Sequence, residues 1–266
     1  MHLAADTHTH TIASGHAYST LADMARAAAE KGLDAIAITD HVDGDWPNRD
    51  IVFDISDIEL YLANISETAK RYEGRLRVLK GIEIGLQSHL LADTQKYIDS
   101  HEFDFVIASV HLVDGLDPYD AEYFEGKDKK ESLGLYYQTV LDLISRYDAF
   151  DSLGHLDYVR RNCPFPITPE DDEIGLIDNI LTVLAQKNKA LEINTSGLRT
   201  RLNETLPSPG ICKRFLSLGG QYLTFGSDAH RTEHIGHGWA YVREHLGKDI
   251  SHFAYYENRK PCPAGL

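Results

Sequence analysis

The chain has 266 residues, 42% of them hydrophobic, and a formal net charge of −15. This length suits one large globular domain, and an ordinary (β/α) barrel needs about 250 residues. Surfaces that bind extended nucleic acids are basic, so the acidic balance argues against a nucleic-acid partner.

Cysteine usage and hydropathy indicate the compartment. Three widely spaced cysteines make neither a zinc knuckle nor a disulfide framework (Cys163, Cys212 and Cys262). No stretch reaches about 18 apolar residues, and no basic segment followed by an apolar run opens the sequence. We therefore expect a soluble, cytoplasmic protein with no membrane partner.

The first repeat reads as a strand, a helix and a second strand. Residues 2–5 are a short first strand, and Ser19 or Thr20 is a plausible cap for the alanine-rich helix that follows over 21–31. Gly32 ends that helix. A buried strand over 33–38 completes a βαβ unit.

The same alternation continues to the end of the chain. Further helices are predicted over 55–72, 92–100, 133–147, 174–187, 211–218 and 239–245, and further strands over 77–83, 103–110, 152–155, 190–194 and 221–228. Each gap between strand ends has the size of one βα repeat, roughly 30 residues or more. Seven strands fit, no eighth strand is recognisable, and the chain after the last helix reads as a tail that ends in residues 261–266. The prediction is an α/β fold, a (β/α)7 barrel that forms a single domain over residues 1–266.

Potential metal ligands stand at the ends of these strands. In a βα barrel the carboxyl ends of successive strands converge on one mouth. Each histidine taken singly could be a surface or core residue, but a buried Glu83 or Asp228 without a cation would carry a large desolvation penalty. The nitrogen and oxygen donors suit zinc, manganese or iron. The predicted ligands are His8, His10, His16, His41, Glu83, His111, His155, Asp228 and His230.

In their order, these motifs resemble the PHP superfamily (polymerase and histidinol phosphatase). The motifs are Asp6-x-His8-x-His10 with His16, Thr39-Asp40-His41, Gly81-Ile-Glu83, Ser109-Val-His111, Gly154-His155 and Gly226-Ser-Asp228-Ala-His230. The resemblance implies a distorted seven-stranded barrel with three divalent metal ions at its mouth. It implies a first metal held by His8, His10, Glu83 and Asp228, a second by Glu83, His111 and His155, and a third by His16, His41 and His230.

Within that superfamily the chain is most similar to the histidinol-phosphate phosphatases. That similarity rests on three segments, 109–115, 154–161 and 192–199. It implies hydrolysis of a small phosphate ester, L-histidinol phosphate, to L-histidinol and phosphate in histidine biosynthesis. Metal ions would activate the attacking water and take up charge on the phosphoryl oxygens. Residues 11–20 depart from this pattern and are more similar to stand-alone PHP phosphatases outside histidine biosynthesis.

Candidate substrate and catalytic residues surround the predicted metals. A guanidinium can hold a phosphate through two parallel hydrogen bonds, so Arg160 and Arg199 are predicted as a clamp, with Arg161 and Arg201 as further candidates. We expect Arg199→Ala to weaken phosphate handling and leave metal content unchanged. The catalytic set is Arg160, Arg199, Asp228 and His230; the leaving group would contact Asp43, Trp46 and Tyr119; and Asp6, Asp40 and Asp157 would orient ligand histidines.

Two other functions remain compatible with the same ligands. One is a PHP-type exonuclease or nucleotide phosphatase, which would need a basic groove or stacking aromatics for the strand. The other is a non-enzymatic metal-binding module, which predicts missing ligands, whereas the sequence contains the full set.

Overall fold

Parallel strands wrap into a barrel in the computed structural model, which describes residues 4–48, 53–166 and 174–264. The strands are β1 (Ala5–Asp6), β2 (Ala35–Ile38), β3 (His41–Val42), β4 (Arg77–Gly85), β5 (Phe105–Ser109), β6 (Ser152–Leu153), β7 (Ala190–Asn194) and β8 (Leu223–Gly226). Their order is β1-β2-β4-β5-β6-β7-β8, and β3 pairs with β4 beyond β2. Since β3 continues the direction of β2 after a break, the barrel has seven positions, as the sequence predicts.

The barrel closes between its first and last strands. The backbone N–H of Thr7 donates to the carbonyl of Phe225 at 2.8 Å, and that of Asp228 donates to the carbonyl of His8 at 2.9 Å. Thr9 and Ala229 form a parallel bridge farther along. The predicted distorted barrel is confirmed. Its first strand is short, and residues 2 and 3 of the strand predicted over 2–5 lie outside the described residues. That residues 1–266 form a single domain stays a prediction.

Helices cover the outside of the barrel. They are α1 (Leu21–Glu30), α2 (Ile58–Arg71), α3 (Leu91–Asp99), α4 (Lys129–Arg146), α5 (Ile174–Gln186), α6 (Pro209–Ser217) and α7 (Trp239–Leu246). The Thr20 side chain caps α1 as expected. Helix α4 begins one turn earlier than predicted, because Asp128 and Glu131 form a reciprocal capping box. Among the described residues, no helix is long and apolar enough to span a bilayer.

A hairpin at the C-terminal end seals the bottom of the barrel, where the sequence predicted only a tail. It consists of β9 (Ala254–Glu257) and β10 (Lys260–Pro263). Asn258 and Arg259 form its turn with φ of 49° and 62°. Asn-Arg is an unusual pair for such a turn, and prolines disfavour strands, so the pattern was not recognisable. Contacts from outside the hairpin hold the turn: the backbone N–H of Arg259 donates to the carbonyl of Asp104 at 2.9 Å.

The Tyr256 side chain of this hairpin fills the bottom of the barrel interior. Its ring stacks on Phe105 with centroids 5.2 Å apart, and the side chain is buried. The surrounding interior consists mainly of small and aliphatic side chains. The hairpin therefore completes the core below the mouth.

We expect Tyr256→Ala to lower the free energy of unfolding by about 3–5 kcal/mol, the usual cost of truncating a buried aromatic side chain. Tyr256→Phe retains the stacked ring and should keep most of that stability. Urea denaturation of both variants checks this. An equal loss in the two variants would mean that the hydroxyl, and not the ring, stabilises the barrel.

Candidate metal centre

All nine predicted ligands lie together at the carboxyl end of the barrel. His41 and Glu83 face each other in the β3–β4 register, so the short strand β3 is what brings this pair to the same level. The other ligands follow β1, β5, β6 and β8 directly or lie in the adjoining loops. Four groups of three have ligand atoms within 4.8 Å of one another: His8, His10 and Asp228; His8, Glu83 and His155; His10, His41 and His230; and His41, Asp43 and His111.

Three of the ligands predicted for the first metal, His8, His10 and Asp228, lie around one carboxylate oxygen of the fourth, Glu83. The Nε2 atom of His8 lies 3.2 Å from Glu83 Oε2, and the Nε2 atom of His10 lies 3.6 Å from it. His10 Nε2 is also 3.3 Å from Asp228 Oδ1. Zinc binds nitrogen and oxygen at about 2.0–2.2 Å, which places neighbouring ligand atoms about 3–3.5 Å apart. These separations match a cation between the four side chains.

The other ligands predicted for the second metal, His111 and His155, lie near the other carboxylate oxygen of Glu83. Oε1 lies 2.9 Å from His155 Nε2 and 3.3 Å from His111 Nε2, and the two imidazole nitrogens are 3.4 Å apart. The Ser109 hydroxyl donates to the same oxygen at 2.7 Å. Glu83 therefore stands between two clusters of imidazoles and is placed to bridge them.

The ligands predicted for the third metal are His16 and His230, which lie in loops, and His41, which lies on β3. His16 and His230 come within 2.5 Å through their Nε2 atoms, and the ring of His41 lies 5.1 Å from that of His16. The backbone N–H of Tyr18 donates to the carbonyl of His230 at 3.0 Å, which ties the two loops together. This group is more exposed than the other two, because both loops lie on the rim.

Buried polar atoms without partners point to a cation. His8 Nε2, His10 Nε2 and Glu83 Oε2 are inaccessible and make no hydrogen bond within the described residues. A buried polar atom without a hydrogen-bond partner lowers the stability of the fold, and in native structures almost all such atoms have a partner. Since the three atoms face one another across 3.2–3.6 Å, a divalent ion fits this donor set.

The electrostatics favour the ligand forms of His10, His230 and Glu83, whereas for His8 and His111 the neighbouring carboxylates outweigh burial and raise the pKa. Burial, together with repulsion from His230 and His41, holds the pKa of His10 well below its usual range. Burial also lowers the pKa of His230, to about 4. Burial raises the pKa of Glu83, but attraction to His8 and other imidazoles outweighs it and holds the net value well below the usual range. Neutral imidazoles and an ionised carboxylate are the forms that bind metals.

Two carboxylates hold ligand histidines from behind. Asp43 accepts from His111 Nδ1 at 2.7 Å and from His41 Nδ1 at 3.1 Å. Burial raises the pKa of Asp43, but His111 and His41 outweigh this and lower it to about 2. Asp43 thus holds both imidazoles and also lines the cavity above the ligands, so its predicted contact with the leaving group stays a prediction. Glu192, to which the sequence analysis gave no role, accepts from His8 Nδ1 at 2.6 Å.

The three aspartates predicted to orient histidines differ in what they contact. Asp40 does so indirectly: the Ser14 hydroxyl donates to it at 2.5 Å and lies 3.2 Å from His10 Nδ1. Asp6 instead accepts from backbone N–H groups, including that of Gly236 at 2.8 Å. Asp157 pairs with Arg160 at 2.9 Å. Within the described residues neither of these two carboxylates bonds to an imidazole, so the role predicted for Asp6 and Asp157 stays a prediction.

Of the four candidate arginines, all of which the structure describes, only Arg161 lines the mouth. It donates to Asp228 Oδ2 at 2.9 Å and to the Ser196 hydroxyl at 2.7 Å, and its Nε has no hydrogen-bond partner within the described residues. Arg160 instead pairs with Asp157 and, at 2.8 Å, with Glu204. The Arg160 guanidinium, which was predicted as one half of the phosphate clamp, is therefore already paired with one buried and one half-buried carboxylate.

Arg199 supports the turn that carries Asp228. Its guanidinium donates to the carbonyls of Ser227 and Asp228 at 2.8 and 3.0 Å. Asp228 has φ of 53°, a left-handed conformation that is uncommon for residues other than glycine and clusters at functional sites. These bonds make Arg199 a support for a metal ligand, so its replacement should also affect metal content, contrary to the sequence-based expectation.

A cavity opens above the ligands. Its inner part has a volume of about 90 Å³ and is lined by ligand side chains with Trp46, Tyr158 and Arg161. Asp117 also lines this inner part. An outer part of about 710 Å³ shares Trp46, Tyr158, Arg161 and Asp117 with it and adds Tyr119. The predicted Trp46 and Tyr119 thus lie at the entrance, while Arg201 and Arg160 line neither part.

Comparison with known proteins identifies the family. Residues 6–196 match the PHP domain family. The chain is 32% identical over 240 residues to a probable histidinol-phosphatase of Clostridium acetobutylicum, covering 87% of this chain and 88% of the relative. It is also 32% identical to the histidinol-phosphatase of Lactococcus lactis, covering 85% and 83%. A probable phosphatase of Aliivibrio fischeri is 31% identical over 238 residues, covering 89% and 81%.

A solved structure has the same fold throughout. The Lactococcus lactis histidinol phosphate phosphatase, in complex with zinc, L-histidinol and phosphate, superposes with a TM-score of 0.88 and 28% identity. The match covers 98% of this chain and 100% of that one. The resemblance drawn from the sequence motifs is therefore confirmed: the chain belongs to the PHP domain family.

Proposed function

We propose that the chain is a metal-dependent phosphoric monoester hydrolase that converts L-histidinol phosphate and water to L-histidinol and phosphate. The observation that carries this proposal is the buried cluster of nitrogen and oxygen donors on both sides of Glu83, at the floor of a cavity whose wall contains Arg161. Relatives that span most of the chain are named histidinol-phosphatases, which supports the substrate and a role in histidine biosynthesis.

Divalent cations belong at the three groups of ligands, and zinc, manganese and iron all suit donors of this kind. The proposed sets are His8, His10, Glu83 and Asp228; Glu83, His111 and His155; and His16, His41 and His230. When bound, such ions lower the pKa of coordinated water and stabilise charge on phosphoryl oxygens. Zinc in the related Lactococcus lactis structure supports this choice.

The chain's own residues position the phosphate. Arg161 stands over Tyr158, with its guanidinium carbon 4.9 Å from the ring centroid, and the stack fixes the plane of its donors. Since the Arg161 guanidinium lines the cavity, it can donate to a phosphoryl oxygen there while Nη2 stays on Asp228. Positioning and charge stabilisation of this kind supply most of the catalysis in phosphoryl transfer.

The outer cavity suits a cationic, ring-containing leaving group. Asp117 accepts from the Tyr158 hydroxyl at 3.2 Å and from the backbone N–H of Tyr119 at 2.7 Å. Trp46 packs edge-on against Phe53 at 4.5 Å and lines the same cavity. An acidic group in a cavity with aromatic side chains complements the amine and the imidazole of histidinol, which supports the substrate assignment.

Hydrolysis of three esters tests the proposal, followed by phosphate release for the two monoester substrates and by chromatography of the nucleotide product for the dinucleotide. Protein loaded with zinc or manganese should hydrolyse L-histidinol phosphate with kcat/KM inside the usual enzymatic range of about 10⁴–10⁸ M⁻¹s⁻¹, and a chelator should abolish the activity. A dinucleotide and a bisphosphorylated nucleotide are the comparison substrates. Preference for either would identify a PHP-type exonuclease or nucleotide phosphatase, and no turnover by fully loaded protein would indicate a metal-binding module.

A further inference from the structure

Glu192 is a buried carboxylate that joins two ligand-bearing strands of the barrel. It lies on β7 and is 1% exposed. Its Oε1 accepts from His8 Nδ1 at 2.6 Å, and its Oε2 accepts from the backbone N–H of His155 at 2.7 Å and from Asn194 Nδ2 at 3.2 Å. One carboxylate thus contacts the side chain of one proposed ligand and the backbone of another.

The neighbouring strand leaves room for this carboxylate. A Cβ atom at Gly226 would lie 1.9 Å from Glu192 Oε1 and 2.7 Å from His8 Cβ. Because no real Cβ approaches an oxygen so closely, any residue larger than glycine at position 226 would displace Glu192 or His8. The packing of three strands therefore fixes the contact between Glu192 and His8.

We propose that Glu192 is a positioning residue of the metal centre, which holds His8 with its Nδ1–H toward β7 and its Nε2 lone pair toward Glu83. The hydrogen bond made by one imidazole nitrogen determines which tautomer the other nitrogen presents to a metal. His8 Nε2 has no hydrogen-bond partner in the described residues and lies 3.2 Å from Glu83 Oε2. The inference rests on the proposed metal-dependent function and extends it to a residue outside the ligand set.

Glu192→Gln is the direct test, since the amide keeps the shape of the side chain. Its NH2 group must face either His8 Nδ1–H or the backbone N–H of His155, so one donor meets another donor. Thr224→Val is the matched control: Thr224 is paired with Glu192 across the β7–β8 ladder, is buried, and bonds to the Ser152 hydroxyl at 2.8 Å. A role in barrel stability alone would make the two variants behave alike.

Zinc affinity and the His8 tautomer are the readouts, both obtained without substrate. In chelator competition, Glu192→Gln should bind zinc about 10- to 100-fold more weakly than the unmodified protein, whereas Thr224→Val should be unchanged. Long-range ¹H–¹⁵N spectra of the unmodified protein should show the His8 proton on Nδ1. Unchanged zinc affinity in Glu192→Gln, or a His8 proton on Nε2, would overturn the proposal, and the second result needs no variant to fold. Failure of histidinol phosphate hydrolysis would be a separate result.

Discussion

Glu83→Gln should lower kcat for histidinol phosphate by at least about 10²–10³-fold, a larger effect than outer ligand supports usually have, and should reduce the metal content of the protein. Glu83 is inaccessible to solvent and its two oxygens face different imidazoles. Oε1 lies 2.9 Å from His155 Nε2, whereas Oε2 lies 3.1 Å from His41 Nδ1 and 3.2 Å from His8 Nε2. A glutamine offers one oxygen, so one of the two sides loses its ligand and meets an NH2 group instead.

Glu102→Gln is the control for this change. The Glu102 side chain is 98% exposed and lies 3.9 Å from Lys80, so the same loss of charge there should change neither kinetics nor metal content. Elemental analysis beside steady-state kinetics measures both quantities, and circular dichroism verifies that the variants are folded. A folded Glu83→Gln protein with full metal content and unchanged kcat would contradict the bridging position of Glu83.

Local sequence patterns were sufficient for most of the fold. Alternating buried strands and capped helices predicted the seven positions of the barrel, because each pattern reports on contacts within one repeat. The break between β2 and β3 was not predictable in this way. There the Tyr61 hydroxyl accepts from the backbone N–H of Asp40 at 3.3 Å, and the carbonyl oxygens of Ile38 and Gly81, both at 3.1 Å, share its single proton. A side chain from α2 supplies these bonds, and only the packed structure brings it there.

The site residues show the same difference between what local sequence patterns predict and what only the packed structure decides. The strand-end rule brought the nine donors to one mouth because their place follows from topology. The arginines depend on side-chain direction: Arg160 and Arg161 are neighbours in sequence, yet Arg160 faces Glu204 while Arg161 faces Asp228. Glu192 did carry a sequence signal, since a carboxylate within the apolar strand of residues 190–194 needs a partner when buried.

Arg161→Ala should lower kcat/KM for histidinol phosphate by about 10²–10³-fold, as removal of a preorganised donor to a developing charge usually does. Inhibition by inorganic phosphate should weaken in parallel, because the Arg161 guanidinium is proposed to contact the phosphoryl group. Arg161→Lys should recover part of the loss, since an ammonium keeps the charge without the planar pair of donors. Metal content, measured on each variant, separates this effect from loosening of Asp228, which accepts from Arg161 at 2.9 Å.

Arg160→Ala is the informative counterpart, because the two arginines are adjacent and equally charged. Its loss leaves the fully buried Asp157 without its ion-pair partner, so the free energy of unfolding should fall by about 3–5 kcal/mol. The kcat/KM of the folded fraction and its inhibition by phosphate should stay close to those of the unmodified protein, and Arg160→Lys provides the same comparison should the alanine variant not fold. If phosphate inhibition instead weakened in the Arg160 variants and persisted in Arg161→Ala, the clamp predicted from sequence would be right and Arg161 would serve only to hold Asp228.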